Sequence, residues 1–251
     1  MKKPLLKLIL FAGIPVMVII VLFKINVYLG IAGIISYIAA LVLFNMTYIY
    51  IVKGQIEYRK GNLEKAASWY EKASKSKKAP INATVVHGFI LFKTGKLEEA
   101  EKVFLSAVEN SKSKDDTNMA KSNLALVLWK KGKLDDAISM LKEVIKEYKT
   151  TSIYGTLGYL AIEKGDLDEA LEINLEAYDF NPDNPVIQDN LAHLYHLRGE
   201  MDKAGELFKK LIESNPHFPE AYFDYGQYLE DCGEINEAAA MYQKALSCQF
   251  N

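Results

Sequence analysis

The sequence predicts an all-α chain: an N-terminal two-helix transmembrane hairpin followed by an α-solenoid of six helix-turn-helix units. Two observations carry this. Residues 1–52 are apolar and hold no Asp or Glu, with Lys2, Lys3, Lys7 and Lys24 as their only charges. Beyond them a short glycine-centred pattern returns six times at a nearly constant interval.

The first apolar run, residues 5–23, is interrupted only by Lys7, Gly13 and Pro15, and is long enough to span about 30 Å of hydrocarbon as a helix. Lys24, Ile25 and Asn26 break the run, with Gly30 close behind, so the spacing predicts a tight turn at 24–30. A second apolar run, residues 31–52, carries only Ser36, Asn45 and Thr47 as polar relief. One span over both runs would be far too long, and two spans are the economical solution. Gly13, Gly33, Ala39 and Ala40 supply small surfaces on which two helices can approach. Basic residues flank both outer ends, as Lys2, Lys3 and Lys7 and again as Lys53, Arg59, Lys60 and Lys65. Only Lys24 lies in the turn. The positive-inside rule then places both termini in the cytoplasm, with Tyr48 and Tyr50 at headgroup level. A cleaved signal peptide fits less well, because its apolar core is usually about 7–15 residues. A single-span signal anchor, which puts the rest of the chain outside, stays open.

The recurring pattern is Gly-x-apolar-polar-x-Ala. It stands at Gly61–Ala66, Gly95–Ala100, Gly132–Ala137, Gly165–Ala170, Gly199–Ala204 and Gly233–Ala238, with its glycines 34, 37, 33, 34 and 34 residues apart. A glycine ends a helix where the backbone needs positive φ. The acidic residues after it suit the positive end of the next helix. Seven residues before each glycine stands a small residue: Gly54, Gly88, Ala125, Gly158, Ala192 and Gly226. Nine after it stands a large one in five units (Tyr70, Phe104, Leu141, Phe208 and Tyr242), with Asn174 as the exception that weakens the fourth core. Glycine within a helix costs about 1 kcal/mol against alanine, and close helix approach is the compensation this alternation predicts. Pro182 and Pro216 close their units.

This pattern resembles the tetratricopeptide repeat family, in its membrane-anchored bacterial type, over residues 47–251. The units run 47–80, 81–117, 118–150, 151–184, 185–218 and 219–251, and the extra residues of the second fall in a polar linker, Asn110–Thr117, that holds Asp115 and Asp116. The first unit overlaps the second span, which predicts one nearly continuous helix over about 31–60. The resemblance implies antiparallel helix pairs stacked into a right-handed superhelix, with a concave groove lined by the first helix of each pair. It turns Tyr58, Phe89, Phe92, Lys93, Trp129, Lys130, Tyr159, His193, His196 and Phe223 toward that groove, with Arg59 among them. Aromatic anchors there suit an extended or helical peptide. The family's Lys/Asn clamp for chaperone C-terminal carboxylates is not reproduced as a set. No extra polar helix follows the sixth unit, leaving Tyr225, Leu229, Tyr242 and Phe250 as candidates for exposure and self-association.

Chemistry is otherwise sparse. The sequence has no phosphate-cradling glycine loop, nucleophile elbow or His-Glu-x-x-His motif. His193 and His196 lie three apart without a carboxylate or thiol at matching spacing, so they read as groove residues and not metal ligands. Cys232 and Cys248, placed at opposite ends of the last pair, are too far apart for a disulfide and suit a reducing compartment. Residues 53–251 carry 26 basic and 32 acidic side chains, a formal charge of −6, which argues against nucleic acid as a partner. The expected protein is a non-catalytic, multi-pass cell-membrane scaffold or adaptor without a cofactor. It is held in the lipid bilayer through residues 1–52, and its cytoplasmic repeats bind a protein or peptide. The alternative is a helper subunit of an envelope assembly machine, with the repeats outside.

Overall fold

The computed structural model describes residues 13–76 and 79–248. Residues 5–12 of the expected first span and Phe250 lie outside the described residues. Among the described residues there are fourteen α-helices and no strand. They fall into two compact units, 1–95 and 96–251.

The first unit opens with two apolar helices, α1 (Ile14–Ile25) and α2 (Val27–Phe44). The expected turn at 24–30 contracts to Asn26 alone, which is extended (φ −162°) and accepts the Tyr28 N–H at 2.8 Å. An asparagine cap lets the new helix begin at once, so Gly30 lies inside α2 and ends nothing. There the Phe23 ring of α1 occupies the space a Cβ on Gly30 would need, and Leu22 Cδ1 comes within 2.9 Å of the corresponding point on Gly33. Phe23 against Gly30 and Leu22 against Gly33 fix an antiparallel hairpin. Almost all its remaining large apolar side chains, from Ile14 to Phe44, are exposed.

The helix expected over 31–60 is broken at Asn45 (φ −105°, ψ 12°), where α2 gives way to α3 (Met46–Arg59). The cause is local: the Asn45 side-chain amide donates to the Leu41 carbonyl at 2.8 Å, competing with the backbone ladder. Helix α3 pairs with α4 (Leu63–Ser74), and α5 (Ile81–Lys93) packs on α4. A Cβ on Gly54 would stand 2.7 Å from the Tyr70 ring, so the glycine admits that ring between the helices. Around it Ala66, Tyr70, Ala73, Ala83 and Ile90 form the core.

The second unit is a run of nine helices: α6 (Leu97–Glu109), α7 (Lys114–Lys130), α8 (Leu134–Ile145), α9 (Thr151–Lys164), α10 (Leu167–Phe180), α11 (Pro185–Leu197), α12 (Met201–Glu213), α13 (Pro219–Asp231) and α14 (Ile235–Ser247). Asp115 and Asp116, expected in a linker, sit in the first turn of α7, where Ser113 Oγ accepts the Asp116 N–H at 3.1 Å. A serine cap and two acids at the positive end of the helix extend it backwards into the polar segment.

All six turn glycines adopt positive φ, between +74° and +87°. Their closure is a tight helix-terminating loop, as where the Lys133 and Glu200 N–H groups return 2.9 Å to the Leu128 and Tyr195 carbonyls. In four pairs the small residue of the first helix meets its counterpart on the second, as Gly54 meets Tyr70 and Gly226 meets Tyr242. Ala192 and Phe208 share one core, and Asn174 sits beside Gly158. Asn174 is fully buried and donates to the Gly158 and Ala170 carbonyls at 3.2 and 2.9 Å, so it links the two helices of its pair by hydrogen bonds. Successive first helices α9, α11 and α13 pack on one another, which lines up one face with residues from three pairs.

At the last pair, Tyr225 and Leu229 are buried and not exposed, because they point back into the core built on Phe208 and Leu211. Tyr242 is half-buried, and the large exposed apolar side chains of α14 are Ile235 and Leu246. Tyr242 is held twice, by its hydroxyl donating to Glu230 at 2.7 Å and by its ring, 2.5 Å from where a Cβ on Gly226 would sit. Gly226→Ala is therefore expected to destabilise the fold by about 1–3 kcal/mol through overpacking, read as a lowered denaturation midpoint.

Candidate functional site

The residues expected in a groove divide between the units. In the first, Tyr58 packs against the core around Tyr70 and serves the helix pair, not a free surface. Phe89 and Phe92 lie with ring centroids 6.4 Å apart, and Lys93 Nζ stands 5.7 Å from the Phe89 ring.

In the second unit the others lie on the first helices α7, α9, α11 and α13. Trp129 meets Tyr159 edge to face at 5.5 Å, and Lys130 Nζ lies 3.9 Å from the Trp129 ring. Phe223 is 48% exposed and rests on Tyr242 with ring centroids 5.7 Å apart. His196 Nε2 is 2.9 Å from Asp231 Oδ2, and its ring stands edge-on to Tyr228. His193 Nδ1 is 3.5 Å from Asp224 Oδ2 without completing a hydrogen bond. The two histidines thus have carboxylate neighbours after all, supplied by α13 from the following repeat.

Sequence reasoning missed the acids on this face. Asp189 on α11 is only 5% exposed, and its Oδ1 has no hydrogen-bond partner. Burial pushes its carboxyl well above the usual range, and Asp224 and Glu220 on α13 add to the shift. Asp224 is raised to about 7, mainly by burial and then by Glu220, while His196 pulls the other way. Burial lowers His193, and His196 lowers it further, against Glu163, which raises it. Tyr159 is raised by burial and by Glu163, Glu220 and Asp224. These mutual influences bring together Tyr159 and Glu163 of α9, Asp189 and His193 of α11, and Glu220 and Asp224 of α13.

The repeat register held a signal for this. The position of Asp189 is taken in the other units by Ile51, Val85, Ser122, Gly155 and Phe223, none of them charged. Among the described residues no three His, Cys, Asp or Glu side chains converge as a metal site. Cys232 and Cys248 are free thiols.

The pattern of paired helices and turn glycines is matched by models described as tetratricopeptide repeat at residues 47–80, 122–185, 189–221 and 207–240. The chain belongs to the tetratricopeptide repeat family. Solved structures of similar fold include pilF of Pseudomonas aeruginosa, 14% identical, covering 81% of this chain and 97% of that one with a TM-score of 0.63. MamA (41-end) from Desulfovibrio magneticus RS-1 is 21% identical over 66% of this chain and 93% of that one, with a TM-score of 0.54. YrrB, described as a TPR protein with an unusual peptide-binding site, is 19% identical over 72% and 92%, with a TM-score of 0.50. At these identities the likeness is one of fold. No curated protein matches the chain.

The raised acids give this tetratricopeptide-repeat protein a pH signature. A folded-state value of about 7 for Asp224 lies above that of an unfolded aspartate, so the fold favours the protonated form. That stabilisation is complete below about pH 4 and is lost as the pH rises through about 7. Asp224→Asn should leave stability near parental at pH 4 and raise it by about 1–2 kcal/mol at pH 8, as urea denaturation at the two pH values would reveal.

Proposed function

We propose that the chain is a membrane-tethered, non-catalytic scaffold that holds a protein or peptide partner on the face of its first helices. The observation that carries this is the aromatic stripe there. Trp129 on α7, Tyr159 on α9 and Phe223 on α13 place aromatic rings on three of the first helices, and Tyr159 and Phe223 stay 39% and 48% exposed. Exposed aromatic rings on a rigid repeat face suit an extended peptide, because they offer large contact area at little entropic cost. The peptide-binding site named for YrrB, a protein of the same fold, supports the same use.

Tethering rests on the first two helices. Helix α2 is 18 residues long without a charged side chain, and it is the one helix among the described residues long and apolar enough to cross a membrane. Helix α1, packed antiparallel on it, exposes Ile14, Val18, Val21 and Ile25 in the same way. So much exposed apolar surface calls for a lipid covering, and we read the pair as a transmembrane hairpin. At the end of α3 nearest α2, Trp69 stacks on Tyr50 and lies between Lys53 and Lys72, whose Nζ atoms are 4.6 and 4.5 Å from its ring. Such aromatic and basic side chains suit the headgroup layer. Residues 53–95 hold nine basic and three acidic side chains, which favours a cytoplasmic side for the repeats.

Three measurements test this reading. Removing residues 1–44 should release the protein from washed membranes into the soluble fraction. In intact cells the exposed Cys232 should resist an impermeant maleimide until lysis; labelling without lysis would favour the envelope-machine alternative with the repeats outside. A photo-crosslinking residue in place of Phe223 should capture a discrete partner, while the same residue at the exposed Glu172 of α10 should not. Equal capture at both sites would defeat the scaffold reading.

A further inference from the structure

Beyond the aromatic stripe, the acidic cluster on α9, α11 and α13 calls for its own account. A buried carboxyl is costly unless a donor meets it. Asp189 is 5% exposed, and its Oδ1 has none within the chain. Asp224 and Glu220, on the helix α13 that packs on α11, act on it electrostatically, and His193, 3.5 Å from Asp224, has an Nδ1 that also lacks a hydrogen-bond partner. The basic side chains nearest in sequence are engaged elsewhere. Lys164 is tied to Asp135 and Glu169, and Arg198 to Asp168 and Glu200. The cluster is therefore acid-rich and partly dehydrated, and the base that reaches Asp224, His196, is itself paired with Asp231.

We propose that Tyr159, Glu163, Asp189, His193, Glu220 and Asp224 form a recognition pocket for a lysine or arginine side chain of the docked partner. This rests on the peptide-scaffold reading and specifies the partner's chemistry. Three features select an organic cation. The free Oδ1 of Asp189 provides the acceptor a buried ammonium or guanidinium needs, and such charge-assisted bonds are the strong ones. The Tyr159 ring, set edge-on against Trp129, offers an aromatic wall for the aliphatic stem and for cation–π contact. A metal ion fits less well, since among the described residues no three side chains converge to ligate one. An anionic partner would meet Asp224, Glu220 and Glu163, and the nearby His196 is already taken by Asp231.

The full-length protein in detergent micelles tests this with two probes: acetyl-lysine amide and its neutral counterpart, acetyl-norleucine amide. Histidine-labelled NMR should show a saturable shift of the His193 ring with the lysine probe. The norleucine probe should respond at least about tenfold more weakly. In the Asp189→Asn/Asp224→Asn double variant, shown to be folded by its own melting curve, the lysine response should vanish. No lysine response in the parent, equal responses to both probes, or a response that survives in the double variant would overturn the proposal. Any of these would leave the Phe223 crosslinking result untouched, so failure of the pocket is separable from failure of the scaffold reading.

Discussion

The close approach of two helices, made possible by a missing or minimal side chain at one point, is the constraint on which the architecture depends. Where Gly54 faces Tyr70 or Gly226 faces Tyr242, the ring fills the very space a Cβ would claim. The large residue thereby fastens its pair from the inside. A helix pair of this size buries too little surface to stand alone, so each pair must stack on the next. Stacking in turn aligns the first helices, as α9, α11 and α13 show. The proposed binding face is thus a consequence of packing, made of whichever residues are left over on the first helices.

The same device works at the other end of the chain. Gly30 and Gly33 let Phe23 and Leu22 of α1 settle on α2, just as Gly54 admits Tyr70. In the repeats the outer faces carry ion pairs such as Lys121–Glu143 and Lys114–Glu147, each worth little by itself. On α1 and α2 the outer faces are apolar apart from Lys24 and Ser36. The packing principle is constant, and the outer surface records which medium each helix pair is suited to.

Periodic features were legible in the sequence because one physical cause repeats. Six glycines at positive φ and six small residues seven places earlier leave a regular trace. Single events left none. The break at Asn45 comes from one side chain competing for one carbonyl, which is indistinguishable in sequence from an asparagine tolerated within a helix. Burial of Tyr225 and Leu229 depends on which way the last first helix faces, which residue spacing alone does not decide. At the candidate site the aromatic residues were singled out from the family resemblance, whereas the acids were passed over although register sets Asp189 apart. His193 and Asp224 are 31 residues apart, and a search for neighbours within one helix could not pair them.

That last failure carries a physical point. In a repeat protein the natural partner of a side chain on a first helix lies about one period away, on the next first helix, and not three or four residues along. Asp189, His193 and Asp224 are brought together in this way, as are His196 and Asp231, 35 residues apart. A buried acid at the position of Asp189 opposes stability, since the other units place apolar, small or hydroxyl side chains there. Structural need therefore does not explain it. The repeats supply more helix pairs than one stable core requires, and that surplus lets a single unit hold a destabilising carboxyl beside the aromatic stripe, where a partner's cation would meet it.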